Sequence, residues 1–153
     1  MRRRMKMITK IKHYTGPQEN EELYSLINLG DYILPKNSFT PSDKYNKKLG
    51  TTVSKIIITY PLSQNAEINI SGVETLNDLL KDVVESYQKI YQMENESSPK
   101  KAMIMCEEFP ECSLINRNRT DGMFGIWGHT IEDLAIHTIY IYKDGSIKVG
   151  VDS

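Results

Sequence analysis

The clearest pattern along the chain is an apolar stripe at helical spacing near its middle. From Leu76 to Tyr91, apolar side chains recur at steps of three, one and three, and charged residues take the opposite face. Thr75 stands before the stripe as an N-cap, and Asp78 follows three positions later, as in a capping box. The pattern predicts a long amphipathic helix that packs on a sheet.

Strand-like segments precede this helix. Residues 52–62 (TVSKIIITYPL) are dense in β-branched and aromatic side chains, and residues 67–70 (EINI) alternate polar with apolar positions. These two segments predict a hairpin that turns through residues 63–65, with Pro61 at the end of its first strand.

A second hairpin is predicted at the end of the sequence. Residues 137–142 and 146–151 flank Asp144-Gly145, and Asp-Gly is among the strongest short hairpin signals. Hairpin, helix and terminal strands together predict an α+β fold with a mixed sheet packed on one long helix.

The connecting segments show no regular period. Residues 35–50 are rich in Pro, Ser, Asn and Lys and predict a linker, and residues 95–101 (NESSPKK) predict a polar loop. Residues 102–106 (AMIMC) fit a short buried strand, whereas residues 107–119 are interrupted by proline, asparagine and charge. We therefore place the compact α+β domain at residues 51–153.

Two segments precede that domain. Residues 1–17 form a basic arm without acidic residues, and residues 18–50 contain a short helix followed by the linker. The helix is predicted over residues 19–29 from the spacing of Leu23, Leu26 and Ile27, with an end at Gly30.

The basic arm has three interpretations, which stay open here. It is a flexible arm, an organellar targeting segment, or a contact for phosphates in nucleic acid. Its bases are Arg2, Arg3, Arg4, Lys6, Lys10 and Lys12.

Composition bounds the class of protein. At 153 residues, with 39% hydrophobic and 25% charged residues, the chain suits one globular domain, and its net charge of -1 gives no overall reason to bind nucleic acid or an anionic membrane. Its apolar runs are too short for a membrane helix, and its start does not resemble a secretory signal. We expect an intracellular, cytoplasmic protein, with organellar targeting as the alternative.

The stretch GMFGIWGHTIEDL, residues 122–134, combines three glycines with the chain's one tryptophan. The glycines are spaced by three, which fits neither the dinucleotide fingerprint nor the phosphate loop, so we expect no cofactor. We interpret the stretch as a tight structural turn that points Phe124, Ile126 and Trp127 into the core, followed by a helical turn that Thr130 caps. FGIWGHTIEDL also resembles a signature of uncharacterised proteins, and this resemblance implies no function.

The same stretch supports a functional alternative. His129 beside Glu132 and Asp133 fits a general base that a carboxylate orients, although no nucleophile motif accompanies it. With Trp127, these residues form a candidate pocket for an enzyme or a ligand-binding protein.

Other candidate chemistry is weaker. Cys106, Cys112, His129 and His137 have the ligand types of a zinc site, but five residues separate the cysteines and seven the histidines, so we predict no metal site. Two cysteines are also too few for a disulfide framework and fit a reduced compartment.

Two surfaces remain as candidates for binding a macromolecule. Arg117 and Arg119 form a phosphate-binding patch if they converge with the basic arm, and the alternative is a solvated loop near three glutamates. Tyr140 and Tyr142 share one face of a predicted strand and form a candidate docking surface for a protein.

The order of elements resembles the β-grasp fold of ubiquitin-like proteins over residues 52–151. That resemblance rests on a hairpin followed by a capped helix (GVETLNDLL) and on a short turn before the last strands (HTIEDLAIHTIYI). The chain lacks a terminal diglycine, so the resemblance does not imply conjugation, and another ββα-containing sandwich stays open.

Our leading hypothesis is a non-enzymatic module that binds another protein through its sheet or through the turn around Trp127. The sequence contains no nucleophile elbow, metal cluster, phosphate loop or cofactor fingerprint. The alternatives are a small enzyme or ligand-binding protein with its pocket at Trp127 and His129, and a nucleic-acid-associated protein that uses the basic arm.

Overall fold

The computed structural model describes residues 7–13, by their backbone, and residues 22–98 and 119–153. Within these ranges the protein is α+β, as predicted: six strands form one mixed sheet, and one long helix packs on it. Strands and helix share a continuous core of aliphatic side chains with a few aromatic rings.

The sheet mixes sequence neighbours with strands that are far apart along the chain. The elements are β1 (Met7–His13), β2 (Leu23–Ile33), β3 (Lys55–Ile58), β4 (Gln64–Asn69), α1 (Leu76–Ser97), β5 (Ala135–Tyr142) and β6 (Ser146–Asp152). Across the sheet their order is β1-β4-β3-β6-β5-β2. The central pair β3 and β6 is parallel, and the other neighbouring pairs are antiparallel.

Both predicted hairpins are confirmed. β3 and β4 pair antiparallel, with Ile56 opposite Ile68, although both strands differ in length from the prediction and their connection spans residues 59–63. In the β5–β6 hairpin, Gly145 N donates to the carbonyl oxygen of Tyr142 at 3.0 Å. Gly145 has a φ of 87°, which explains why glycine follows Asp144 there.

The predicted helix is confirmed as α1, together with its capping box. Thr75 Oγ1 accepts from Asp78 N at 3.2 Å, and Asp78 Oδ2 accepts from Thr75 N at 3.2 Å. The helix continues to Ser97, so the prediction that residues 95–97 belong to a loop is wrong. Ser97 Oγ donates back to the carbonyl oxygen of Met93 at 2.8 Å and accepts from Met123 N at 2.9 Å, so this last turn is tied to a loop that follows later in the chain.

The short helix predicted between residues 19 and 29 is wrong over the part that the structure describes. Residues 23–33 form β2, which pairs antiparallel with β5. Ile27 and Leu29 are buried while Leu26 and Asn28 are exposed, a period of two. The three apolar residues that led to the helix prediction fit helical spacing as well. Pairing with β5, which is distant in sequence, decides in favour of the strand.

The flexible arm and the domain start at residue 51 are also corrected. Residues 7–13 of the arm form β1, in which Ile8 lies opposite Ile68 and Ile11 opposite Ala66 of β4. β1 and β2 are therefore the two edge strands of the same sheet as residues 51–153. Residues 1–6 and 14–17 of the arm, and the strand predicted at residues 102–106, lie outside the described residues.

The helix is amphipathic and packs on the sheet. No helix in the described part of the chain has the length and the apolar character that crossing a bilayer requires.

Candidate functional site

A loop of residues 119–129, here called the Trp127 loop, lies against the β3–β4 connection. Ser63 N donates to the carbonyl oxygen of Gly125 at 2.7 Å, and Trp127 N donates to that of Pro61 at 2.9 Å. Leu62 and Ile126 form an isolated antiparallel bridge. These contacts join two segments that lie on opposite sides of the helix in sequence.

A buried carboxylate on the helix holds the Trp127 loop in place. Glu94 has 0% of its surface exposed. Its Oε2 accepts from Thr120 Oγ1 at 2.5 Å and from Gly122 N at 2.8 Å, and its Oε1 accepts from Phe124 N at 2.8 Å and from Gly125 N at 3.3 Å. Four donors therefore satisfy a charge that would otherwise be costly to bury.

Two glycines of the loop are explained by the structure: Gly122 by its contact with Glu94, and Gly125 by its backbone conformation. A Cβ on Gly122 would lie 2.6 Å from Glu94 Cδ, so a side chain there would push the carboxylate away. Gly125 has a φ of 65°, in the left-handed region that favours glycine. The spacing by three reflects these needs, and it is unrelated to a nucleotide-binding loop.

Two buried tyrosines of α1 also bind the backbone of this region. Tyr87 Oη donates to the carbonyl oxygen of Tyr60 at 2.9 Å, and Tyr91 Oη donates to that of His129 at 3.0 Å. Burial raises the pKa of both phenols well above the usual value of 10.0. Both therefore stay neutral donors throughout the physiological range.

Trp127 differs from the expectation that it points into the core. Phe124 and Ile126 are fully buried, but Trp127 is 50% exposed. The loop is extended here, so alternate side chains point to opposite sides, and Trp127 falls on the outer side. Arg119 lies over its indole ring, with the guanidinium carbon 5.4 Å from the ring centroid.

His129 is part of a polar chain beside Trp127. Its Nε2 lies 2.8 Å from Tyr60 Oη, and its Nδ1 lies 3.7 Å from Asp133 Oδ2. Tyr60 Oη also lies 2.7 Å from Ser153 Oγ. Asp133 is too far for a close hydrogen bond, and Tyr60 occupies the nitrogen that a general base would turn to a substrate.

The predicted site residues are therefore brought together only in part. His129 and Asp133 form a cluster with Tyr60, and Trp127 lines a depression beside Tyr60, while Glu132 is exposed on the 3-10 turn of residues 131–133. This turn follows Thr130 as expected, and Thr130 N donates to Asp133 Oδ2 at 3.3 Å.

A surface depression opens next to this cluster. Trp127 and Arg119 form one wall, and residues 59–63 form the other. Its volume is about 490 Å³, which lies within the range of small-molecule sites.

Tyr140 and Tyr142 lie on β5, away from this depression. Both are half-buried on the sheet face opposite the helix, and Lys148 Nζ lies 5.5 Å from the centroid of the Tyr142 ring. His137 also lies on β5, with its Nε2 3.3 Å from Asp152 Oδ1.

Several predicted residues lie outside the described ranges. They are Arg2, Arg3, Arg4, Arg117, Cys106 and Cys112. The phosphate patch therefore stays a prediction. Among the residues that the structure does describe, no three His, Cys, Asp or Glu side chains are grouped as metal ligands.

Glu94 and Tyr60 are part of the site but were not predicted from the sequence. A signal for Glu94 was present, because it follows Tyr87 by seven residues and Tyr91 by three and so continues the apolar stripe. An acid on such a stripe indicates a buried carboxylate that needs donors. No comparable pattern marked Tyr60, whose role depends on contacts that are distant in sequence.

Replacing Glu94 tests the support of the Trp127 loop. We expect Glu94→Ala to lower the free energy of unfolding by about 3 kcal/mol or more, because buried amide donors lose their acceptor. Glu96→Ala, at an exposed position of the same helix, is the control and should change it by less than about 0.5 kcal/mol. Urea titration measures both, and equal losses would contradict the role given to Glu94.

Two aromatic residues of the loop should respond differently to truncation. Phe124→Ala should cost about 3–5 kcal/mol, because it empties a buried site. Trp127→Ala should cost about 1 kcal/mol or less, because half of the residue's surface is already exposed to water and a cation–π contact at such an exposed site contributes little. Denaturant titration of both variants, followed by circular dichroism, checks the comparison; a larger loss for Trp127→Ala would show that the ring is part of the core.

The raised tyrosine pKa values predict sensitivity to alkali. Above pH 10, the unfolded chain loses phenol protons that the folded chain keeps, so stability should be complete below about pH 10 and decrease above it. Unfolding free energies at pH 8 and at about pH 11 should differ less in Tyr91→Phe than in the wild type. An unchanged pH dependence in Tyr91→Phe and Tyr87→Phe would contradict this assignment.

Comparison with known proteins returns no match. No family model fits the chain, and no curated protein or solved structure is significantly similar to it.

Proposed function

We propose that the protein is a protein-binding module that accepts an extended segment of a partner along the outer edge of β2. The observation that carries this proposal is an apolar edge strand whose leucines are half exposed. Leu23 is 45% exposed and Leu26 50% exposed. Partner segments commonly bind by adding a strand to such an edge.

The first half of β2 lacks the usual protection of an edge. Residues 23–28 (LYSLIN) contain no charge and no proline, the two features that most often prevent edge strands from pairing with other chains. Within the described residues, β2 has a neighbouring strand on one side, β5. A register shift between Leu23 and Ser25 is the one protective irregularity in this half.

The side chains of this edge continue a row on the open face of the sheet. Leu23 lies opposite Tyr142 and Leu26 lies opposite Tyr140, so all four share the face that the helix does not cover. A strand added to β2 would place its own side chains beside these leucines. Apolar residues at alternate positions of the partner would extend the row.

Ion pairs bound the apolar segment at both ends. Lys143 Nζ lies 3.1 Å from Glu22 Oε2 at one end, and Lys44 pairs with Asp31 at the other. An apolar centre with a polar rim is the usual composition of a protein interface. Residues 23–30 lie between these pairs, which limit the partner segment to about that length.

The strand order also supports the finer proposal of a β-grasp fold. A hairpin, a helix and a second hairpin place the first strand of one hairpin parallel to the last strand of the other, at the centre of the sheet. The resemblance stated from the sequence implies this arrangement. β1 and β2 would then be additions at the two edges.

Selection from a random peptide library tests the proposal. Twelve-residue peptides displayed on phage and selected on the full chain should carry apolar residues at alternate positions. Hydrogen exchange of residues 23–28 should slow when such a peptide binds, while exchange in the centre of α1 stays unchanged.

Variants of the chain test whether the selected peptide binds along β2. Leu26→Lys should weaken binding by about tenfold or more, since it puts a charge in the apolar row. Met123→Lys is the control, because Met123 is 41% exposed on the Trp127 loop. Equal binding to Leu26→Lys would contradict the proposal. A wild-type dimer in sedimentation that Leu26→Lys dissociates would also contradict it, because the occupant would then be a second copy of the chain.

A further inference from the structure

We propose a second binding site, independent of β2, in the depression between the Trp127 loop and the β3–β4 connection. Its ligand would be a small molecule with a planar aromatic body and one carboxylate. The site combines an aromatic wall, one cation and one buried hydroxyl without a partner.

The aromatic wall consists of Trp127 and the Arg119 side chain that lies on it. Trp127 exposes half of its surface, and Arg119 stacks on its ring at 5.4 Å. Pro61 and Leu62 line the opposite side. A flat apolar body bound between these walls would cover part of an exposed indole ring, which is favourable in free energy.

The cation makes the site selective for an anion. Among the described residues, no carboxylate lies within ion-pair distance of the Arg119 guanidinium, which is held by the indole ring instead. Guanidinium and carboxylate are matched in geometry and form strong, charge-assisted hydrogen bonds. The positive charge at the rim would therefore attract an acid in preference to a neutral analogue.

Ser63 supplies the second polar contact. Its Oγ is buried, and it has no hydrogen-bond partner among the described residues. Such a group is rare in folded proteins and costs free energy while it stays unpaired. Ser63 lines the depression, so a rotation about its Cα–Cβ bond would turn the hydroxyl toward a ligand carboxylate, which would provide the missing acceptor.

Gly125 lets the two polar side chains approach the same point. A Cβ built on Gly125 would lie 3.1 Å from Ser63 Oγ and 3.3 Å from Arg119 Cδ. Gly125 therefore packs directly between Ser63 and the stem of Arg119, and both of these residues line the depression. A ligand carboxylate bound above Gly125 would lie within reach of both side chains.

The walls are preformed, which reduces the entropic cost of binding. Backbone hydrogen bonds join Trp127 to Pro61 and Ser63 to Gly125 across the base of the depression. Tyr60 adds an aromatic ring, but His129 and Ser153 already satisfy its hydroxyl. The volume of about 490 Å³ accommodates a two-ring aromatic acid.

The one tryptophan of the chain provides a direct readout. In a nitrogen–proton correlation spectrum of the full chain, the Trp127 indole Nε1–H gives the single indole signal. We expect 2-naphthylacetate to shift this signal saturably. The neutral isostere 2-naphthylacetamide should bind about tenfold more weakly, since it loses the charge-assisted contact with Arg119.

Three variants separate the proposed contacts from general effects. Arg119→Gln should remove the preference for the acid over the amide, and Ser63→Ala should weaken binding of the acid several-fold. Lys148→Gln removes the cation of another stacked pair, on Tyr142, and should leave both affinities unchanged. The dispersion of backbone signals confirms that each variant is folded.

Three results would overturn the proposal. They are the absence of a saturable Trp127 shift up to about 10 mM 2-naphthylacetate, equal affinities of the wild type for acid and amide, and an unchanged preference in Arg119→Gln. If Arg119→Gln does not fold, Ser63→Ala alone decides, because undiminished binding there contradicts the role of the unpaired hydroxyl.

Discussion

The contact between Glu94 and the Trp127 loop is the interaction on which the arrangement of the site depends. Near the end of a helix, a carboxylate is repelled by the negative end of the helix dipole, and its burial adds a desolvation cost. Backbone amides from Gly122, Phe124 and Gly125 offset both effects. The last turn of α1 and the loop therefore need each other and should form or unfold as one unit.

The helix also determines the spacing of the site. Tyr87, Tyr91 and Glu94 lie along one face of α1 and bind, in that order, the β3–β4 connection, the backbone at His129 and the first half of the Trp127 loop. The two tyrosine hydroxyls and the glutamate carboxylate belong to a helix face that is otherwise apolar. Core packing and site geometry are thus two results of the same helix face, so a substitution that shifts α1 would disturb the depression as well.

Local patterns predicted the parts of the fold that local interactions determine. The helix with its Thr75 cap and both hairpins follow from spacing and turn chemistry within a few residues. β1 and β2 were missed because their partners, β4 and β5, are distant, and a segment such as residues 23–29 fits two periods until its partner is known. Burial of Trp127 was predicted wrongly for a similar reason, because local composition does not tell which of two faces an extended residue takes.

The position of β2 in the sheet has a consequence for synthesis of the chain. Asn28 of β2 contacts Thr138 of β5 across 110 residues of sequence. At about 5–20 residues per second, a ribosome needs several seconds or more to make β5 after β2 has been made. During that interval β5 cannot yet pair with the uncharged LYSLIN segment. A nascent chain of this protein would therefore be a substrate for chaperones that recognise extended apolar segments.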